Sequence, residues 1–351
     1  MRRRTPAESP SKLSDVARLA GVSLSTVSNV LNHPTRVAAS TRTRVEAAIS
    51  ELGFTPNRNA RALVVGTTDS IGLVVFDLKN SLFVDIARGA QRRARGRGYS
   101  LQVGSSDSDV EQQAEHLRFF DAAQVSGLIL APMHDAPESV DRLRSHGRPV
   151  VIVNHDPAEA NVCRVLVDNE QAGFLAVRHL IECGARRLGI VAGRRDLQPV
   201  ELRVEGAHRA ARESAVPVEV VEYPVDGLEP EYGDRMGSRL AALDRDERPD
   251  AVLAVTDMLA MTIISRLTAQ GIRVPDDIRV MGCDHNTAAW GGAIPLSSVS
   301  LRGEALGEHA VDLLLDEIDD PAGHVHETIT IGPSLHIRES TVGRPTATPP
   351  A

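Results

Sequence analysis

Cysteine is scarce in this 351-residue chain, and its three copies, Cys163, Cys183 and Cys283, are far apart with no CxxC pair. That pattern excludes a disulfide framework and reads as reduced, buried thiols of a cytoplasmic protein. No apolar run approaches the roughly 20 residues that cross a bilayer. The basic start, Arg2-Arg3-Arg4, leads into Thr5-Pro6-Ala7-Glu8-Ser9-Pro10 without the hydrophobic segment of a secretion signal. There is no G-x-S-x-G elbow, no G-x-x-x-x-G-K-[ST] phosphate loop and no H-E-x-x-H. His324 and His326 fall on one face of a short strand with no third ligand evident, so neither a metal site nor a cofactor is expected. With no coherent acid–base–nucleophile set, the chain reads as a soluble binding protein rather than an enzyme.

What is present begins with charge. The whole chain carries −8. Residues 1–66 hold ten Lys/Arg against four acids, a balance of +6 that leaves −14 for the remainder. A basic module on an acidic body puts a phosphate-attracting field at one end of the molecule. Within that module, residues 13–32 read as two short helices around a turn. Val16, Ala17 and Ala20 give the first a small apolar face, and Gly21 can take the positive φ that ends it. Ser23 is placed to cap the second helix, whose Val27, Val30 and Leu31 repeat at helical spacing. The opposite face carries Leu24, Ser25, Thr26, Ser28 and Asn29, groups with little core to fill. Such a polar, nearly uncharged helix tip suits a DNA major groove, although a plain αα-hairpin with a solvated face has the same local pattern. A third amphipathic helix over 41–52 (Val45, Ala48, Ile49 and Leu52 inward) closes a miniature core, and Pro56 breaks the chain before a marginal helical stretch.

From Ser70 onward, strands and helices alternate. Residues 71–76, 128–130 and 150–153 are continuous apolar runs, as expected of strands covered on both faces. A second series follows at 188–191, 218–221, 251–254 and 278–281, with helices near 81–97, 110–123, 170–183, 200–215 and 257–270 between strands. Two sets of βα units predict two doubly wound lobes, with ligands bound beyond the strand C-termini in the cleft between them. The 42% hydrophobic content is enough for substantial cores.

The motifs D-V-A-x-x-A-G-V-S-x-x-T-V-S-x-V-L-N, V-x-x-x-T-R-x-R-V and P-N-x-x-A-R-x-L together resemble the lactose-repressor/galactose-repressor family of bacterial transcription regulators, over about Leu13 to Ser340. The resemblance implies an all-α N-terminal helix-turn-helix headpiece plus an α/β periplasmic-binding-protein-like core of two doubly wound parallel-sheet lobes. The expected organisation is a disordered 1–10, a headpiece at 11–56, a hinge helix and linker at 57–68, and an effector-binding and dimerisation core at 69–340. Lobe 1 would take about 69–167 and 301–331, and lobe 2 about 168–300 and 332–340. Crossings are placed near 167–168, 298–300 and 332, with a helix at 302–318 returning to lobe 1. The Pro/Thr-rich 341–351 reads as a disordered tail without leucine heptads, which favours a homodimer over a tetramer.

The same resemblance implies site residues. Leu24, Ser25 and Asn29 would read bases, while Ser23, Thr26, Ser28, Thr41 and Arg42 would hold phosphates of double-stranded operator DNA. Most relatives carry arginine where this chain has Asn29. Losing such a bidentate contact changes the preferred half-site, at roughly 1–3 kcal/mol of discrimination. Asn57, Ala60 and Leu63 would form a hinge that orders only in the minor groove, with Leu63 wedged between base steps. In the cleft, the family's N-P-F-F-like element stands here as Asn80-Ser81-Leu82-Phe83. Asn80 caps the following helix on this reading, and Phe83 either stacks on a ligand ring or packs in the core. Arg203 matches a cleft arginine and Asp284, at a strand end, matches a carboxylate that accepts effector donors. Thr256 stands over the ligand; Asp257 either touches it or caps a helix. Asn154 and Asp156 are lesser candidates. The basic run Arg92, Arg93, Arg95, Arg97 reads as a solvated helix end. The chain is therefore expected to be a repressor gated by a sugar or nucleoside-like effector, with no membrane partner. A solute-binding protein or enzyme on the same lobes, and an effector-independent architectural DNA binder, are the rival classes.

Overall fold

The computed structural model describes residues 11–32, 34–54, 68–158, 161–285 and 294–343. The chain falls into two compact units, Met1–Thr68 and Asp69–Ala351.

In the first unit, α1 (Leu13–Ala20) and α2 (Leu24–Asn32) flank Gly21, which takes a left-handed φ of 64°. Asp15 closes the start of α1 by accepting from the Lys12 backbone N–H at 2.9 Å. Ser23 Oγ accepts from the Thr26 backbone N–H at 3.1 Å, the expected cap on α2. The third helix, α3 (Ala39–Glu51), starts two residues before the expected Thr41 because the Thr41 and Arg42 N–H groups already bond back to the Ala38 carbonyl. Val16, Val27, Val30 and Val45 meet in a core of small aliphatic side chains, with Phe54 packed on its edge. The hinge residues Asn57, Ala60 and Leu63 lie outside the described residues.

The second unit holds two six-stranded sheets. Lobe 1 is built from β1 (Ser70–Val75), α4 (Ser81–Gly96), β2 (Ser100–Ser105), α5 (Val110–Ala122), β3 (Gly127–Leu130), α6 (Pro137–Ser145), β4 (Val150–Val153) and β5 (Cys163–Val167). The chain then enters lobe 2: α7 (Asn169–Glu182), β6 (Arg187–Gly193), α8 (Gln198–Arg212), β7 (Glu219–Val225), α9 (Pro230–Ala242), β8 (Ala251–Ala254), α10 (Asp257–Ala269), β9 (Arg279–Asp284) and β10 (Ser297–Ser300). It returns to lobe 1 for α11 (Gly303–Asp319) and β11 (Thr328–Ile331), and ends in lobe 2 with β12 (Ser334–His336) and α12 (Glu339–Val342). The sheet orders are β11-β5-β4-β3-β1-β2 and β12-β10-β9-β8-β6-β7. All pairings are parallel except β10 with β12.

Glycine fastens a helix pair in each lobe, and a second pair in lobe 2, where Gly233 and Gly237 of α9 pack against α10. A Cβ on Gly89 of α4 would strike the Glu304 carbonyl of α11, and one on Gly206 of α8 would strike the Glu170 carbonyl of α7. The basic run on α4 is not merely solvated: Arg92 pairs with Glu304 and Glu308, Arg93 with Asp312 and Arg97 with Asp319, all on α11. The second crossing follows strand β10, whose Ser297–Ser300 pairs with Met281–Asp284, so lobe 2 runs to residue 300 before the chain returns. Two expectations need correction. The tail does not begin at 341: Thr341 is buried, 2.9 Å from His179 Nε2 and 2.7 Å from Ser297 Oγ. Finally, His324 and His326 precede the strand β11 instead of lying on it, and the thiol of Cys163 approaches both rings.

Candidate functional site

On α2 the buried side is Val27 and Val30, which leaves Ser23, Leu24, Ser25 and Asn29 exposed and Thr26 and Ser28 half-buried. Leu24 is 52% exposed. Ser23, Ser25 and Thr26 hydroxyls lie within 2.8 Å of one another through Ser23, a cluster of rotatable donors beside that leucine. Thr41 and Arg42 sit half-buried in the first turn of α3, where Arg42 makes a long contact of 3.9 Å to Glu46 among the described residues. The guanidinium is thus weakly held and available to an anion.

In the second unit a cavity of about 200 Å³ opens between the lobes, beyond the C-terminal ends of β1, β2, β6, β7 and β8. Lobe 1 contributes Phe76, Asp77, Lys79, Asn80 and Ser108; lobe 2 contributes Arg194, Asp226, Glu229, Tyr232, Thr256 and Met258. Of the residues expected in the cleft, Asn80 and Thr256 line it. Both also cap helices: Asn80 Oδ1 accepts from Leu82 N at 2.9 Å and Thr256 Oγ1 from Leu259 N at 3.3 Å. The cap of α10 is therefore Thr256, and Asp257 is its first helical residue, fully buried and accepting from Ser298 Oγ at 2.6 Å.

Arg203, Asp257 and Asp284 form a buried charged layer beside the cavity rather than its wall. Arg203 Nε donates to Asn169 Oδ1 at 3.0 Å and Nη1 to the Val255 carbonyl at 2.8 Å, with Asp284 Oδ1 3.6 Å from Nη1. Asp284 Oδ2 accepts from the Asp257 N–H at 3.3 Å and from Asn80 Nδ2, across the lobes, at 3.4 Å. Burial pushes the Asp284 carboxyl well above the usual range, against the pull of Arg203 and with the push of Asp257. Its other oxygen, Oδ1, has no hydrogen bond, and its φ of 143° is one that side chains seldom adopt. An under-satisfied buried acceptor on strained backbone marks a group held ready for a donor. Asn154, in lobe 1, accepts from Asn169 Nδ2 at 3.0 Å, and the Asp156 backbone exchanges two hydrogen bonds with the Gln198 side chain. Both lesser candidates thus tie the lobes together.

Phe83 does not face the cavity. It is buried in the lobe 1 core with its ring 6.0 Å from that of Phe76, and Phe76 is the aromatic that reaches the lining. Phe76, Lys79, Arg194, Asp226 and Tyr232 escaped the sequence reading. Their shared signal was position, just past a strand end or on the helix that follows it, where an open α/β sheet binds its ligands.

Residues 12–57 match the family described as bacterial regulatory proteins, lacI family, and residues 177–341 match a periplasmic binding protein-like domain. The chain is 34% identical over 331 residues to the HTH-type transcriptional repressor PurR of Haemophilus influenzae strain PittEE, covering 93% of this chain and 98% of that one. The chain belongs to the lacI family. Among solved structures of lacI-type regulators, the Lac repressor dimer bound to operator and the anti-inducer ONPF is 27% identical with a TM-score of 0.80, covering 96% of this chain and 100% of that one. The transcriptional regulator CelR in complex with cellobiose is 28% identical with a TM-score of 0.68, covering 94% and 99%. This lacI-family protein is a DNA-binding transcriptional repressor, and its relatives are regulators rather than enzymes. Among the described residues no helix is long and apolar enough to cross a membrane.

Proposed function

We propose that this repressor binds a pseudo-palindromic operator as a homodimer and is gated by a sugar or nucleoside-like effector in the cavity between its lobes. The observation that carries the reading is the cavity lined from both lobes, in whose wall Asn80 of lobe 1 donates to the buried Asp284 of lobe 2. A ligand held there from both lobes bears on that bridge and changes how they close. Three acids (Asp77, Asp226, Glu229) and two cations (Lys79, Arg194) line the cavity, with Phe76 and Tyr232 as ring-sized apolar faces. That lining favours an uncharged, hydroxyl-rich ligand over a phosphate. Its volume is below the roughly 300–1,000 Å³ of drug-sized sites, in keeping with a small ligand. The cellobiose in the CelR complex is a precedent for a carbohydrate in this fold.

On the DNA side, Leu24, Ser25 and Asn29 would meet base edges while Ser23, Thr26, Ser28, Thr41 and Arg42 hold phosphates, as their exposure on α2 and α3 permits. Asn57, Ala60 and Leu63 would supply the paired minor-groove hinge. Effector binding shifts operator affinity only by its differential affinity for the two lobe arrangements.

Two measurements test the reading. A thermal-shift screen of the full chain against sugars and nucleosides should find a stabilising ligand whose effect is lost in Asp284→Ala. Selection from random duplexes should return a two-fold symmetric site, whose binding and bend Leu63→Ser weakens while the melting temperature stays unchanged. Failure of every ligand would remove the effector half, and absence of an enriched symmetric site the operator half.

A further inference from the structure

We propose that Cys163, His324, His326 and Glu317 form a four-donor site for a divalent transition cation, with zinc the best fit. The four side chains come from separate places in lobe 1. Cys163 opens β5, Glu317 sits on the last turn of α11, and the two histidines lie on the segment between α11 and β11. The thiol sulfur is 3.1 Å from His324 Nε2 and 3.8 Å from His326 Nδ1. Glu317 Oε2 is 4.0 Å from that Nε2 and 3.8 Å from that Nδ1. Zinc bonds of about 2.0–2.3 Å in a tetrahedron require donors spaced about 3.3–3.7 Å apart. The donor atoms of Cys163, His324 and His326 all lie within 4.8 Å of one another, and Glu317, already beside both imidazoles, completes the tetrahedron by turning its side chain toward the sulfur.

Burial and charge favour the same occupant. The side chains of His324, His326 and Glu317 are 8%, 17% and 12% exposed, and Cys163 is buried. Glu317 Oε2 is buried without a hydrogen bond, an unmet acceptor aimed at both imidazoles. One thiolate, one carboxylate and two neutral imidazoles balance a 2+ ion, so the loaded site buries no net charge. Mixed sulfur, nitrogen and oxygen donors suit zinc or its congeners and not calcium or magnesium, which take oxygen shells.

Arg144 supplies the outer layer. Its Nη2 lies 3.0 Å from His326 Nε2 and 4.0 Å from Glu317 Oε1. A guanidinium only donates, so in the metal-free site it fixes the ring proton on Nδ1. Metal at Nδ1 moves that proton to Nε2 and turns Arg144 onto Glu317 Oε1, while the Cys163 thiol gives its proton to solvent. The ion would tie the segment before β11 to β5, the strand that β11 pairs with from Thr328↔Arg164 to Ile331↔Val167. It would thus clamp the sheet edge from which the chain leaves lobe 1 for the last time, at Gly332.

The test uses tag-free full-length protein stripped with chelator and titrated with Co²⁺, then Zn²⁺. One equivalent of Co²⁺ should give tetrahedral d–d bands and a thiolate charge-transfer band, both displaced by Zn²⁺, and Zn²⁺ should raise the melting temperature. Cys163→Ser should abolish the charge-transfer band and the thermal increment. H326Q, at the most exposed ligand, serves should C163S fold poorly and should weaken binding about tenfold or more. Cys183→Ser should behave as the unaltered protein. Absence of the thiolate band, its survival in C163S, its loss in C183S, or undiminished binding by H326Q would overturn the proposal.

Discussion

The two lobes share a plan and differ in what they hide. Both order six strands the same way, and both close a helix pair on a glycine, Gly89 in lobe 1 and Gly206 in lobe 2. Lobe 2, however, buries Arg203, Asp257 and Asp284 at the cleft, whereas lobe 1 reaches across with the uncharged Asn80, which donates to Asp284, and Asn154, which accepts from Asn169. Lobe 1 carries a ladder of surface ion pairs instead, from Arg92 and Arg93 of α4 to α11. The contrast teaches that topology repeats cheaply while polarity does not. At the cleft, lobe 2 carries the buried ionisable groups Arg203, Asp257 and Asp284, and lobe 1 supplies uncharged hydrogen-bonding partners.

The largest expected break in that comparison is Arg203→Leu. It leaves the buried Asp284 without its ion partner and the Asn169 and Val255 oxygens without a donor, and should cost about 3–5 kcal/mol in chemical denaturation. An equivalent loss of polarity in lobe 1 has no counterpart of that size. Next come the glycines: Gly206→Ala and Gly89→Ala each push a methyl group into a backbone carbonyl and should each cost about 1–3 kcal/mol. Similar values would confirm that the two helix pairs are equivalent; a tolerated G89A would show that lobe 1 is the looser one. Smaller again, Asn80→Ala and Thr256→Ala each remove a helix cap and should cost about 1 kcal/mol. N80A alone also breaks the bridge to Asp284, so it should change lobe closure, measured by small-angle scattering, where T256A does not.

Acidity gives the mildest probe. His285 stacks on His336 with ring centroids 3.6 Å apart, and burial, then the charges of His336 and Arg338, hold it down to about 4. A depressed histidine binds its proton more weakly folded than unfolded. Its contribution is therefore complete above the unfolded value of about 6.5 and erodes as pH falls toward the folded one. His179 and His336 in lobe 2 and His326 in lobe 1 shift the same way, each chiefly by burial. Melting temperature should fall between pH 7 and 5, and His285→Gln should flatten that slope. An unchanged slope would place the acid sensitivity elsewhere.

Much of the headpiece was legible because its rules are local. Gly21, the Ser23 cap and the valines of α2 act within a few residues of chain, so spacing alone separates the buried side from the exposed one. The buried central strands were legible for a related reason, since burial on both faces leaves a continuous apolar run. The edge strand β2 has residues exposed in its middle and gives no such run.

What tertiary structure decided is who meets whom. Phe83 and Phe76 both follow β1, yet only packing chose Phe76 for the cavity and Phe83 for the core. Cys163 stands 161 residues from His324, and the sulfur reaches that ring because β11 returns to pair with β5. Periodicity and capping record interactions within one turn or one strand. Contacts between distant segments depend on the order in which strands assemble, and no local pattern of residues encodes that order.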